Sequence, residues 1–193
     1  LALWNAVERR TLRDHVALGA VAAAAVASKD QAYGYFPGAA LLLLWMAWRD
    51  TAGDTWPRRL TRTVGDRRLW AGLVTCLALY SVLVGAWWNL DGVRAHVALI
   101  TGQASVPFRM FPATLDGPVR LALTTAGLLG QAVGPVVLAT ATLGLGLAVS
   151  ARGGPASWGL GLMAVGYVVT FVGVVGYVYD RFLLVALVPV ALL

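Results

Sequence analysis

Apolar runs of 13 to 20 residues follow one another along this chain, and short polar stretches between them hold most of its charge. This alternation constrains the fold more than any single motif. A bilayer core demands about 20 consecutive apolar residues from a helix that crosses it. Of the 193 residues, 59% are hydrophobic and only 12% are charged, about half the roughly 25% usual in soluble domains. A soluble domain of this size could not bury that much apolar surface, and a disordered chain would be polar. The pattern predicts an all-α fold: a polytopic transmembrane helix bundle in one membrane domain over 1–193.

The expected spans are 16–28, 32–48, 69–88, 135–149 and 158–177, with a sixth run, 182–193, that stops short. The first has only 13 residues and crosses only with help from its flanks or neighbours. The stretch 119–149 is too long for one straight span, and Gly134-Pro135 is its natural break. A helix over Asp116–Val133 at the interface and a span from Pro135 follow. Two connectors stand out: an Arg-rich inner loop at 49–68 and an outer loop at 89–118 expected to form an ordered cap. The start at Leu1, with no initiator Met, and the short last run suggest part of a longer protein.

The net charge of +6 comes from 14 Arg, one Lys and nine acids. In a soluble protein it would suggest nucleic acid; here it reads as a bias toward positive inner loops, with no nucleic-acid partner. With the N-terminal segment inside, ten cations lie inside: Arg9, Arg10, Arg13, the six between Arg49 and Arg68, and Arg152. Five lie outside: Lys29, Arg94, Arg109, Arg120 and Arg181. Trp45, Trp48, Trp70, Trp87, Trp88 and Trp158 mark span ends, as in an aromatic belt. The expected location is the plasma (inner) membrane of a bacterium.

Three polar constellations fall on the outer side. Lys29-Asp30-Gln31 interrupts two apolar runs and holds the sole lysine, a compact cation suited to a lipid phosphate that must arrive and leave. Tyr33, Tyr35 and Phe36 follow and serve equally to line a lipid groove or to pack a core. Asp180-Arg181 is the second break, and Arg181 is a candidate anion ligand. Arg109, between Phe108 and Phe111, is the third. Each reads equally as an ordinary turn or an exposed arginine. Gly159, Gly166 and Gly173 recur every seven residues and predict close helix packing. The lone Cys76 excludes an internal disulfide, and no Cys/His cluster suggests a metal. Phosphate-loop, nucleophile-elbow and zinc-protease motifs are missing too.

The segment Ala27-Ser28-Lys29-Asp30-Gln31-Ala32 resembles the "tKeqA" segment of bacterial GT-C glycosyltransferases of the protein O-mannosyltransferase and aminoarabinose-transferase type. Tyr179-Asp180-Arg181-Phe182-Leu183-Leu184, followed by Pro189, resembles their late "R(Y/F)llP…P" segment, with Val185 where a proline is common. The stretch TGQASVPFRMFPATLDG at 101–117 resembles an outer loop between these motifs. The resemblance implies the C-terminal part of a membrane domain that moves a sugar from a polyprenyl-phosphate donor to an acceptor at the outer face. Lys29 and Arg181 would be phosphate ligands, with Asp30, Gln31, Tyr33, Asp180 and Arg109 beside the substrate. The family's acidic catalytic motif lies in the first outer loop, so the catalytic residue is expected upstream, no metal or other cofactor is assigned, and this piece is expected to be inactive alone. The alternatives are a transporter or flippase of lipid-linked sugars and a structural membrane subunit.

Overall fold

Polar residues start and stop each helix by identifiable chemistry. The computed structural model describes residues 1–101, 106, 110–112, 114, 116–150 and 154–173. A short helix α1 (Ala2–Glu8) is capped by Arg9 and followed by Arg10, whose φ of 53° is left-handed. Thr11 then caps α2 (Leu12–Ser28), its Oγ1 accepting the Asp14 N–H at 3.2 Å. The helix therefore begins four residues before the expected run at 16. A 3-10 turn (Asp30–Tyr35) separates α2 from α3 (Phe36–Asp50), so the expected 32–48 run divides into a turn and a helix. Pro37 sits in the first turn of α3, where its missing N–H costs nothing.

The Arg-rich connector contains a helix, α4 (Trp56–Val64). Asp66 caps α5 (Arg67–Leu83), accepting the Arg68 N–H at 2.9 Å. This corrects the expected 20-residue span at 69–88. The helix ends at Leu83 because tight turns follow, with Gly85 at φ +74° and the Trp87 indole donating to Ser81 Oγ at 3.0 Å. The outer connector contains α6 (Leu90–Thr101). Helices α7 (Asp116–Val133) and α8 (Pro135–Val149) fall where the Gly-Pro break put them. Gly134 has φ +80°, and α7 meets the first part of α8 at a 113° bend. The last described helix, α9 (Pro155–Tyr167), continues as one π-helical turn (Val168–Val172). Residues 174–177 and 182–193 of the expected last spans lie outside the described residues.

The described residues are thus helical, with no strand among them. Close approaches between helices set their order and direction. Gly19 of α2 lies against the Gly72 carbonyl of α5, and the two helices run parallel. Gly38 of α3 meets the backbone of Leu162 and Met163, while Leu42 meets Gly159, so α3 and α9 run antiparallel. One core joins Val7, Leu42 and Met46; a second joins Leu121, Tyr167, Phe171 and Val172. One end of the molecule gathers the arginines at the starts of α2 and α5 and the end of α3; the other carries Lys29 and the 3-10 turn. Among the described residues no single helix is long and apolar enough to cross a membrane; α7 with residues 135–144 reaches that length and apolarity only as a bent pair.

Candidate functional site at the lysine turn

The lysine turn begins where α2 gives way to extended backbone at Lys29, whose N–H still donates to the Ala25 carbonyl at 3.0 Å. The Ala/Val-rich α2 ends at Ser28, whose hydroxyl donates back to the Ala24 carbonyl at 2.7 Å. Lys29 is extended (φ −155°, ψ 114°) and exposed, so its ammonium projects from the helix end. Its carbonyl accepts the Ala32 N–H at 2.9 Å and starts the turn. Gln31 and Tyr33 are half-buried.

Aromatic packing then fixes the turn against the end of α9. The Tyr33 hydroxyl donates to the Thr170 carbonyl at 3.2 Å, and its ring meets Phe171 edge-on at 5.8 Å. Tyr35 stacks on Tyr167 at 4.8 Å. The Thr170 hydroxyl has two carbonyl acceptors for its one proton, Gly166 O at 2.7 Å and Gly34 O at 3.2 Å. A Cβ on Gly34 would stand 2.8 Å from the Phe171 Cβ, so only glycine allows this approach. The Tyr167 ring is fully buried, and among the described residues its hydroxyl has no hydrogen-bond partner. Tyr33 and Tyr35 therefore belong largely to the packing. The Asp30 side chain and all of Arg109, Asp180 and Arg181 lie outside the described residues. The Gly159–Gly166 stripe does pack closely, against Leu42, Gly34 and Gly38, while among the described residues a Cβ at Gly173 meets only Val168 O at 3.5 Å.

The structure also assembles a polar cluster at the other end that sequence separation concealed. Arg68 donates to Asp66 from Nε at 3.0 Å and from Nη2 at 2.6 Å. The same Nη2 reaches Asp50 at 3.4 Å, and Nη1 reaches the Arg10 carbonyl at 3.4 Å. Arg10 pairs with Asp50. Buried His15 lies beside them, its Nδ1 2.9 Å from the Thr11 carbonyl. These residues line a cavity of about 10 Å³, room for one water. Hydrogen bonds from the Arg68 side chain hold the Asp66 carboxyl below its usual range against the opposing effect of burial, and Asp66 raises Arg68 in return. Both carboxylates are engaged by guanidinium groups, so the cluster clamps three segments and neither carboxylate is free to act as a base. The Asp66 cap was the one local signal for it. Among the described residues no three His, Cys, Asp or Glu side chains could share a metal ion. Compared with protein-family models, curated proteins and solved structures, the chain matches none.

Proposed function

We propose that the chain is part of an integral membrane glycosyltransferase that uses a polyprenyl-phosphate sugar donor at the face opposite its Arg10–Arg68 cluster. The observation that carries this is the exposed Lys29 on a turn anchored to the end of α9, remote from the arginine cluster. A cation held by rigid backbone yet open to its surroundings suits a phosphate that must bind and leave. In the reaction an acceptor oxygen attacks the anomeric carbon, the bond to the carrier phosphate breaks, and a base takes the acceptor proton. Lys29, with Arg181, would stabilise charge on the departing phosphate.

Membrane placement is supported by apolar surface. Helix α5 has no buried residue, and Leu73, Val74, Leu77, Val82 and Leu83 are all about half exposed. So large an uncovered apolar face calls for lipid or another apolar partner. The 113° break between α7 and α8 favours a second reading, a carrier of lipid-linked sugars, because transporters build sites at broken helices.

The test uses the chain in lipid nanodiscs with undecaprenyl phosphate, read by native mass spectrometry. Lys29→Ala should weaken binding at least fivefold and Lys29→Arg should restore most of it. In the longer parent protein, Lys29→Ala and Arg181→Ala should each depress sugar transfer with expression intact. Unchanged binding and transfer would remove the assignment, whereas lipid-sugar movement without transfer would favour the carrier.

A further inference from the structure

The connector helix α4 carries a surface that neither core uses. Trp56, Leu60 and Val64 recur at i, i+4 and i+8, which places them on one stripe, and they are 67%, 47% and 53% exposed. Arg58 and Arg62 lie on the opposite side of the helix. Arg59 faces inward: its guanidinium stands 4.0 Å over the Trp48 ring, and its Nε donates to the Trp48 carbonyl at 3.1 Å. This contact fixes the helix's rotation and leaves Leu60 and Val64 outward, while Trp56 stays largely exposed with its ring edge-on to Trp48 at 5.0 Å.

The surroundings are basic and aromatic. Six arginines stand against three aspartates between Arg49 and Arg68, and Asp50 and Asp66 are engaged by Arg10 and Arg68. Among the described residues Arg49, Arg58 and Arg67 make no ion pair. Trp45 and Trp70, at the same end of the molecule, are 43% and 51% exposed. A short helix with an apolar stripe, a basic face and neighbouring tryptophans has the chemistry of an interfacial helix.

We infer that α4 lies in the membrane interface at the arginine end and docks on anionic phospholipid headgroups. Its stripe enters the acyl boundary while the arginines lie close enough to the headgroups to attract their negative charge. This rests on the membrane placement proposed above but not on the glycosyl-transfer reading. Each arginine near an anionic leaflet favours docking about fivefold.

The experiment uses the full chain with Cys76→Ser and a single nitroxide on Leu60→Cys, Thr61→Cys or Leu77→Cys, in vesicles of phosphatidylcholine with or without phosphatidylglycerol. With the anionic lipid, the label at 60 should collide with oxygen and be shielded from a water-soluble nickel chelate, while the label at 61 stays open to the chelate. Omitting phosphatidylglycerol, or combining Arg58→Gln with Arg67→Gln, should expose position 60; the two substitutions cut the docked population ratio about 25-fold. Equal accessibility at 60 in the two lipids overturns the inference. Shielding from both reagents, the mark of a protein covering the stripe, overturns it as well. The label at 77, on the apolar face of α5, separates the two levels. Lipid exposure at 77 with water at 60 defeats the helix docking alone, and water at both defeats the membrane placement too.

Discussion

Gly38→Ala is the sharpest perturbation of this fold. A Cβ at position 38 would stand 2.0 Å from the Leu162 carbonyl oxygen, 2.4 Å from its carbon and 2.9 Å from the Met163 nitrogen. Carbon–oxygen contacts settle near 3.3 Å, so the overlap exceeds 1 Å. Both partners are helix backbone and cannot rotate away. Helices α3 and α9 must separate by about 1 Å, and a gap of that size forfeits up to half of each affected dispersion contact. Overpacking costs about 1–3 kcal/mol, and backbone against backbone puts this site at the upper end. Alanine's better helix propensity returns up to about 1 kcal/mol. The net loss is about 2 kcal/mol, or a melting temperature lower by about 4–8 °C in a chain of this size. The assay is thermal unfolding in detergent, followed by tryptophan fluorescence. Gly127→Ala is the control, because among the described residues nothing lies within 4 Å of its would-be Cβ. Gly159→Ala should fall between, since its Cβ meets movable side-chain ends, Leu42 Cδ2 at 2.7 Å and Leu3 Cδ2 at 3.4 Å. A Gly38→Ala protein as stable as Gly127→Ala would refute the α3–α9 contact.

Three further outcomes follow from the hydrogen bonds. The Asp66 carboxyl is held below its unfolded value of about 3.9, so its pair with Arg68 stabilises the fold above about pH 4 and fades as pH falls through the folded value. Asp66→Asn should therefore lower stability at neutral pH and flatten the acid limb of a denaturation series below pH 4. Arg59→Ala should speed amide exchange across α4 selectively, corresponding to a loss of about 1–2 kcal/mol, whereas Arg58→Ala should not. Tyr33→Phe removes the donor to Thr170 and should cost about 1 kcal/mol, read as a melting point lower by about 2–4 °C.

Local chemistry was legible in the sequence where it acts within a few residues. Gly134-Pro135 combines a left-handed backbone with a missing donor, so the α7–α8 break could be placed to the residue. Thr11 and Asp14 form a capping pattern that would have moved the start of α2 to Leu12, but hydropathy alone hid it behind charged residues. The end of α5 was missed for the opposite reason. Residues 84–88 are apolar enough to continue a span, yet Gly85 turns the chain, and counting apolar residues does not register a turn. The glycine stripe predicted close packing, but its partners Gly34 and Gly38 were invisible until α3 lay against α9. The arginine-end clamp joins residues 40 and 58 positions apart, and only the helix directions bring them together.

The two ends of the molecule use charge differently, and that difference bears on which end can do chemistry. At the arginine end Arg10 and Arg68 share Asp50, and Arg68 is also bound to Asp66. An incoming phosphate would have to displace those carboxylates and leave them partly buried without a partner, a penalty of about 3–5 kcal/mol for a broken buried pair and less at these half-exposed positions. The clamp resists ligands for the same reason that it holds the segments. At the lysine end rigidity comes from uncharged contacts: Tyr33 to Thr170, Tyr35 on Tyr167, and Gly34 against Phe171. Lys29 is thereby fixed in position by its backbone, and among the described residues no carboxylate pairs with it. A cation positioned by its backbone rather than by a counter-ion can take up and release an anion without dismantling the fold. That separation of structural from available charge is the physical ground for placing the phosphate at Lys29 rather than at the Arg10–Arg68 clamp.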